Sequence, residues 1–260
     1  MPTKGTEVFS GGVGLHAGGG AAITAGHFSA LGHDTALAAY LPTGVLGDLV
    51  EQELLSAKVD LRLCGVASTR CDPQITVALV HGGERAFITH RAGVAFPKFT
   101  TEGVVQMEID HLHIGEARTL VENPELVDIA SDAGASLSLD CSWDDHLSAE
   151  AIARFLPDVD VFLPNDAEVE QLRSQGVDEH LSKLTVIKEG CKGATAISNG
   201  SEVHAPAVSA NVLDTTGAGD AFNAAFLSAW LEGHSIKECL EFGNARGAMA
   251  VSHRGGLGGN

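Results

Sequence analysis

The stretch LDTTGAGDAFNAAF, residues 213 to 226, packs two aspartates, two threonines and two glycines against a largely apolar tail. Phe222, Ala225, Phe226, Ala229 and Trp230 recur at helical spacing, and Glu232-Gly233 supply a stop, so a buried helix is expected to begin near Gly217 to Gly219. Its first backbone N–H groups have no intrahelical acceptor. Glycine lets a ligand approach them closely, which makes this end a natural anion site with Asp220 beside it. A carboxylate there repels a permanently bound phosphate. It is well placed to take the proton of a hydroxyl that attacks a phosphoryl group. A lone Asp in this place reads more simply as a first-turn acid favoured by the helix macrodipole; the surrounding T-G-A-G and the second acid, Asp214, turn the balance toward chemistry.

The rest of the composition constrains the setting. A chain of 260 residues with 44% hydrophobic content can bury one large α/β core. The formal net charge of −18 disfavours nucleic acid and anionic membranes as partners, so phosphate has to be handled locally. The five cysteines, at 64, 71, 141, 191 and 239, show neither C-x-x-C spacing nor an even count, which argues against a disulfide framework or structural zinc and fits a reducing cytoplasm. The first residues contain no apolar signal core, and no uncharged apolar run approaches the ~20 residues of a membrane span.

From residue 20 the pattern alternates: an apolar helix to Leu31, a short strand at Thr35 to Leu41, a helix around Leu46 to Ser56, then β-rich sequence to about residue 95. ITVALV and RAFIT, joined through His81-Gly82-Gly83-Glu84, read as a hairpin. Strands follow near His111 to Ile114, Ser136 to Asp140, Val159 to Leu163 and Leu184 to Lys188, with helical stretches between them. ATAIS-NG-SEVHA is a second hairpin, and two long helices close the chain. This alternation predicts a mostly parallel sheet covered by helices. The block from about 57 to 95 interrupts it and is expected to stand off the main sheet.

D-T-T-G-A-G-D-A-F, residues 214 to 222, resembles the C-terminal signature of the ribokinase-like (PfkB) carbohydrate kinases. Gly18-Gly19 before an apolar helix looks like that family's N-terminal glycine motif, PNDAE looks like its N-x-x-E, and VIKEGCKGA, residues 186 to 194, looks like its nucleotide-side glycine turn. The resemblance spans essentially the whole chain. It implies a single ribokinase-like domain over residues 1 to 260, a three-layer α/β sandwich with a mostly parallel central sheet. Strands from about 5–14 and 57–95 would form a small β lid over the sugar and a homodimer contact. It implies ATP-dependent phosphorylation of a hydroxyl group of a sugar or sugar-derived substrate, with Mg²⁺ and K⁺ as cofactor ions. A nucleoside kinase, or a catalytically weak sugar or nucleotide binder on the same fold, is the alternative.

The same resemblance assigns residues. Asp220 becomes the catalytic base, and the N–H groups of Gly217, Ala218 and Gly219 an anion hole. Asp214 and Thr216 would hold a monovalent cation with carbonyls near Ala250, His253 and Gly255, although an Asx turn explains Asp214 as well. Asn165 and Glu168 would organise hydrated Mg²⁺ and the ATP phosphates, although the pair also reads as a helix cap. Lys188, before Gly190 and Gly193, could neutralise phosphate or be an ordinary solvated lysine. Asn244 looks like the residue beside adenine, or a mid-helix Asn facing solvent. Gly18 and Gly19 border the sugar. Glu116, at a strand's carboxyl end, and Arg91, on the lid, are the further substrate candidates, and a surface place suits each equally. His111 and His113 share a strand face and read as structural, lacking a third ligand.

Rivals fail on context. GVGLHA, residues 12 to 17, matches G-x-G-x-x-A with Asp34 following, but TEVFS is a poor central strand for a dinucleotide site. No G-x-x-x-x-G-K-[ST] or G-x-S-x-G is present. One element of the resemblance is missing: only seventeen residues precede Gly18, none forms an apolar strand carrying the sugar-binding aspartate, and Ile23 replaces the glycine motif's asparagine. The expectation is an absent first central strand: either the chain is shorter than its natural form, in which case its sugar phosphorylation is weak or absent, or it is a divergent member with an altered sugar site, and the first is favoured. Steady-state kinetics beside an upstream-extended form tests it, and full activity in the short form opposes it.

Overall fold

Apolar side chains alternate along the central strands and place a helical layer on each face of the sheet. The computed structural model describes residues 5, 7, 9, 12–67, 74–81, 84–91, 93–94, 97–142, 144, 146–178 and 182–258. Its elements in chain order are α1 (Gly20–Ala30), β1 (Tyr40–Leu41), α2 (Gly44–Ser56), β2 (Gly65–Val66), β3 (Ile75–His81), β4 (Glu84–His90), α3 (Thr101–Gln106), β5 (His111–Ile114), α4 (Ala117–Glu122), α5 (Glu125–Ala133), β6 (Ser136–Asp140), α6 (Ala149–Ala153), β7 (Val161–Leu163), α7 (Asp166–Ser174), β8 (Leu184–Lys188), β9 (Ala194–Ser198), β10 (Ser201–Ala205), α8 (Ala218–Leu231) and α9 (Ile236–Ala250).

The central sheet has six strands in the order β10-β9-β8-β7-β6-β5. β5 to β8 run parallel, and β9 and β10 add antiparallel strands at one side. Leu137 and Leu139 of β6 and Phe162 of β7 face a layer made by α3 to α6. Val161 and Leu163 of β7 and Leu184 and Val186 of β8 face the opposite way, against Phe222, Phe226 and Leu227 of α8 and Leu240 of α9. This is the mostly parallel sheet covered by helices that the alternation predicts, and the three-layer α/β sandwich that the resemblance implies.

The hairpin turn of β9 and β10 is Asn199-Gly200, both with positive φ (50° and 74°), which an Asn-Gly pair accommodates with little strain. β3 and β4 form a separate two-stranded antiparallel sheet; residues 82 and 83 of its expected turn, like Cys71 and parts of 5–14, lie outside the described residues. The strand expected at Thr35 to Leu41 is reduced to Tyr40–Leu41, paired with Gly65–Val66, and a lone bridge between Ala36 and Asp60. Among the described residues this small sheet does not join the six-stranded one, and no strand pairs with the outer edge of β5. α1 lies between them: Ala25 packs with Leu37, Leu54 and Val59, while Phe28 packs in the cluster of α8 and α9.

Ile23 is buried on the α1 face that meets the chain's last described loop, where a Cβ on Gly256 would stand 2.3 Å from its Cδ1. The loop is fixed by His27, whose Nδ1 accepts from Arg246 Nε (3.0 Å) and whose Nε2 lies 3.0 Å from the Gly256 carbonyl. That pairing assigns the proton to Nε2. No helix among the described residues is long and apolar enough to cross a membrane.

Candidate active site

α8 begins at Ala218, with Gly217 as its N-cap at φ 75°. A side chain at Gly217 would also collide, since its Cβ would lie 2.7 Å from Gly256 Cα. The Ala218 N–H turns back to the Thr215 carbonyl at 3.3 Å, and Ala221 donates to the Gly217 carbonyl at 2.8 Å, so the helix starts in a tight turn. Asp220 occupies that first turn. Its carboxyl meets the start of α1 and the end of β5: a Cβ on Gly20 would stand 3.0 Å from Asp220 Oδ1 and 2.8 Å from the Gly115 carbonyl. Glycine at position 20 thus keeps the space beside the carboxylate open. Gly18 and Gly19 precede it on the exposed approach to α1, with nothing within 4 Å of where either Cβ would be.

Burial is the first cause that pushes the Asp220 pKa up to about 7. Asp140 and Glu168 push the same way, while Lys188 opposes. Asp220 as a residue is partly exposed, while its carboxyl is enclosed by the surrounding elements. The result is a group that changes charge near neutral pH, as a proton acceptor requires.

The carboxyl ends of the parallel strands converge here. Lys188 ends β8, and its Nζ lies 3.1 Å from both Asp140 oxygens and 3.1 Å from Asn223 Oδ1. The Lys188 stem and ammonium pass Gly219, whose Cβ position is 3.7 Å from Nζ. The solvated-lysine alternative therefore fails. Asn165 and Glu168 make a complete capping box at the start of α7: Glu168 N–H donates to Asn165 Oδ1 (2.9 Å) and Asn165 N–H donates to Glu168 Oε2 (2.7 Å). Their capping role is real, and Glu168 is also close enough to act on Asp220 electrostatically.

The glycine turn and Asn244 meet at one place. Gly193 has φ 112°, and a Cβ there would lie 2.1 Å from the Ala205 carbonyl; Gly190, at φ 58°, opens the same turn. Asn244 donates to the carbonyls of Ala205 (3.0 Å) and Pro206 (3.1 Å) and is buried, which replaces the solvent-facing alternative. Asp214 accepts the N–H of Thr216 (2.9 Å) on one oxygen and that of Gly255 (3.1 Å) on the other, an Asx turn that ties the two loops together. The Ala250 carbonyl accepts from His253 N–H at 3.0 Å, and the Gly255 carbonyl from Gly258 N–H at 3.3 Å.

Arg91 and Glu116 pair with each other. Arg91 Nη2 donates to Glu116 Oε1 (3.1 Å) and to Glu122 Oε2 (3.0 Å), and Arg118 binds Glu122 and Asp144 in turn. The Arg91 side chain is only 14% exposed, so this is a clamp between the end of the β3–β4 hairpin and α4. His111 and His113 lie with Ser136 and Ser138 in a hydrogen-bonded row beneath α8, in keeping with a structural place.

Gly20, Gly115, Asp140 and Asn223 also border the site and escaped the sequence reading. The only local signal was Asp140 itself, a charge closing the apolar run SLSLD at a strand's carboxyl end.

A family model described as pfkB family carbohydrate kinase matches residues 5–259. The chain is similar to an ATP-dependent ribose-1-phosphate kinase of Halopiger xanaduensis, 28% identical over 248 residues, covering 92% of this chain and 81% of that protein. A shorter match joins it to an uncharacterized sugar kinase of Archaeoglobus fulgidus, 36% identical over 39% of this chain, and spans 44% of that protein's length. Among solved structures it resembles an uncharacterized sugar kinase of Pyrococcus horikoshii in complex with ATP, with a TM-score of 0.77 at 25% identity, covering 92% of this chain and 84% of the other.

Proposed function

The chain belongs to the pfkB family of carbohydrate kinases, and from that premise we propose that it transfers the γ-phosphoryl group of ATP to a hydroxyl group of a sugar or sugar-derived substrate. The observation that carries the proposal is Asp220, held at the first turn of α8 with a pKa raised to about 7, beside glycines that leave room for an acceptor. Asp220 accepts the hydroxyl proton as the oxygen attacks phosphorus. The N-terminal turn at Gly217, Ala218 and Gly219 and the ammonium of Lys188 offset the charge on the transferring group. Asn165 and Glu168 would organise the hydrated Mg²⁺ that accompanies ATP, which would neutralise phosphate charge, and the turn at Gly190 and Gly193 with Asn244 would border the nucleotide. Closing the β3–β4 hairpin over the acceptor excludes water.

Further parts of the proposal rest on separate features. Asp214 and Thr216, with the carbonyls of Ala250, His253 and Gly255, would hold K⁺ where the two loops meet, and the ion would add positive charge beside the α8 turn. The hairpin exposes Ile75, Val77, Phe87 and Ile88, which suits a contact between two copies of a single-domain kinase. The four described cysteines are free thiols, in keeping with a cytoplasmic setting. For the acceptor, the similarity to a ribose-1-phosphate kinase makes phosphorylated pentoses the first class to try. The test is ADP formation from Mg-ATP across pentoses, hexoses, sugar acids, ribose 1-phosphate and nucleosides. Acceptor-dependent turnover with one sugar class is expected; turnover with nucleosides alone moves the assignment to a nucleoside kinase, and none with any acceptor opposes it.

A further inference from the structure

Three side chains from three elements close a buried triangle next to Asp220. Asp140, 5% exposed, ends β6; Lys188 ends β8; Asn223, fully buried, lies one turn into α8. Lys188 Nζ donates to both Asp140 oxygens and to Asn223 Oδ1, all at 3.1 Å, and Asn223 Nδ2 donates to Asp140 Oδ2 at 2.5 Å. The amide accepts from the ammonium and donates to the carboxylate, so only one orientation of Asn223 serves both. The ammonium thus has three acceptor oxygens within 3.1 Å. A lysine stem otherwise has four torsions to sample, and this arrangement removes that freedom.

We propose that Asp140 and Asn223 are positioning residues that hold the Lys188 ammonium over the first turn of α8, and thereby set the charge that Asp220 and an arriving phosphate encounter. The inference rests on Asp220 as the proton acceptor. Replacing either holder frees the ammonium to swing into solvent, away from Gly219. The other titratable groups facing this site are Glu168 from α7, which acts on Asp220, His113 from β5, which faces Asp140 and Lys188, and the buried Cys141 just past β6, which faces Asp140, Glu168 and Lys188 and whose thiol burial holds neutral. From α1 and α9, His27 and Arg246 are bonded to one another.

The test is a cycle of substitutions read by the titration of Asp220 itself, followed through ¹³C-labelled aspartate carboxyl signals in the full chain. The Asp220 signal is identified by its loss in Asp220→Asn. In the wild-type background, Lys188→Met is expected to raise the Asp220 midpoint by about 1 pH unit, the effect of removing a nearby opposite charge. In Asp140→Asn and in Asn223→Leu backgrounds the same change is expected to move it less than half as far, because the ammonium has already left. Equal movement in all three backgrounds overturns the proposal, as does no movement in the first. Two holder variants keep the test alive if one fails to fold. Kinetics adds a second reading: the acid limb of kcat follows the same pattern. Absence of any acceptor-dependent ATP turnover would remove the kinase assignment and leave the carboxyl titration to decide the positioning.

Discussion

In the proposed reaction Asp220 would serve two ends that oppose each other. Accepting a proton during turnover requires the ionised form, while burial and Asp140 favour the neutral one. Asp220→Asn is expected to lower kcat by roughly 10² to 10⁴, the usual worth of a positioned base, with acceptor-dependent ADP formation as the measurement. The same substitution is expected to stabilise the fold. The folded pKa, about 7, lies above the ordinary 3.8, so the unfolded chain gives up its proton first as pH rises. Stability from this group is full below about pH 3.8 and is lost as pH climbs through 7. Asp220→Asn escapes that loss and gains roughly 2 to 3 kcal/mol at pH 8, less than the full shift would give because the residue is partly exposed. Urea midpoints of the two proteins should coincide near pH 3.5 and separate as pH rises; a constant gap contradicts this. Asp220 was legible because its glycines and threonines are chain neighbours. Asp140 was not, since Lys188 lies 48 residues away and Asn223 lies 83 away.

At the scale of elements, α7 raises the question of whether one pair of residues can cap a helix and serve a ligand. Asn165→Ala removes the capping box and is expected to cost about 1 kcal/mol. If Asn165 also organises Mg-ATP, the KM for ATP rises well beyond wild type. Ser235→Ala is the control: it removes the matching capping box of α9, near the far end of α8, and costs similar stability. Equal KM values in the two variants leave Asn165 as a cap alone. The loop joined by Asp214 and Gly255 gives another test, in which replacing K⁺ by a bulky organic cation at equal ionic strength lowers activity. Identical rates in both salts remove the cation from the account. The parallel strands β5, β6 and β8 could be delimited from sequence because apolar runs there are bounded by charge and turn residues. The stretch from 35 to 41 misled: it reads as a strand, yet its backbone bonds reach only the segment at 60 to 67, which leaves a short ladder.

Across the whole molecule, buried imidazoles set the response to acid. Burial is the first cause that takes His27 to about 4, His111 to about 3 and His113 to about 4. With folded values below the ordinary 6.5, the unfolded chain binds more protons, so stability is present above pH 6.5 and is lost as pH falls toward 4. Asp220 works in the opposite sense over part of that window, but three groups outweigh one. The urea midpoint at pH 5 is therefore expected below that at pH 7, and equal midpoints contradict the burial of these rings. The layered sandwich followed from alternating patterns spread along the chain. The separation of the β1–β2 sheet from the six-stranded one reflects pairings that the sequence specifies only through distant partners. The central claim is that these layers bring an acceptor hydroxyl to Asp220 beside the phosphate turn of α8. Its most direct test is the rate of acceptor-dependent ADP formation from Mg-ATP by the purified chain and by Asp220→Asn, side by side at pH 8. The account predicts phosphorylated sugar in step with ADP and a fall of at least about 100-fold in the variant; equal rates in the two proteins would contradict it.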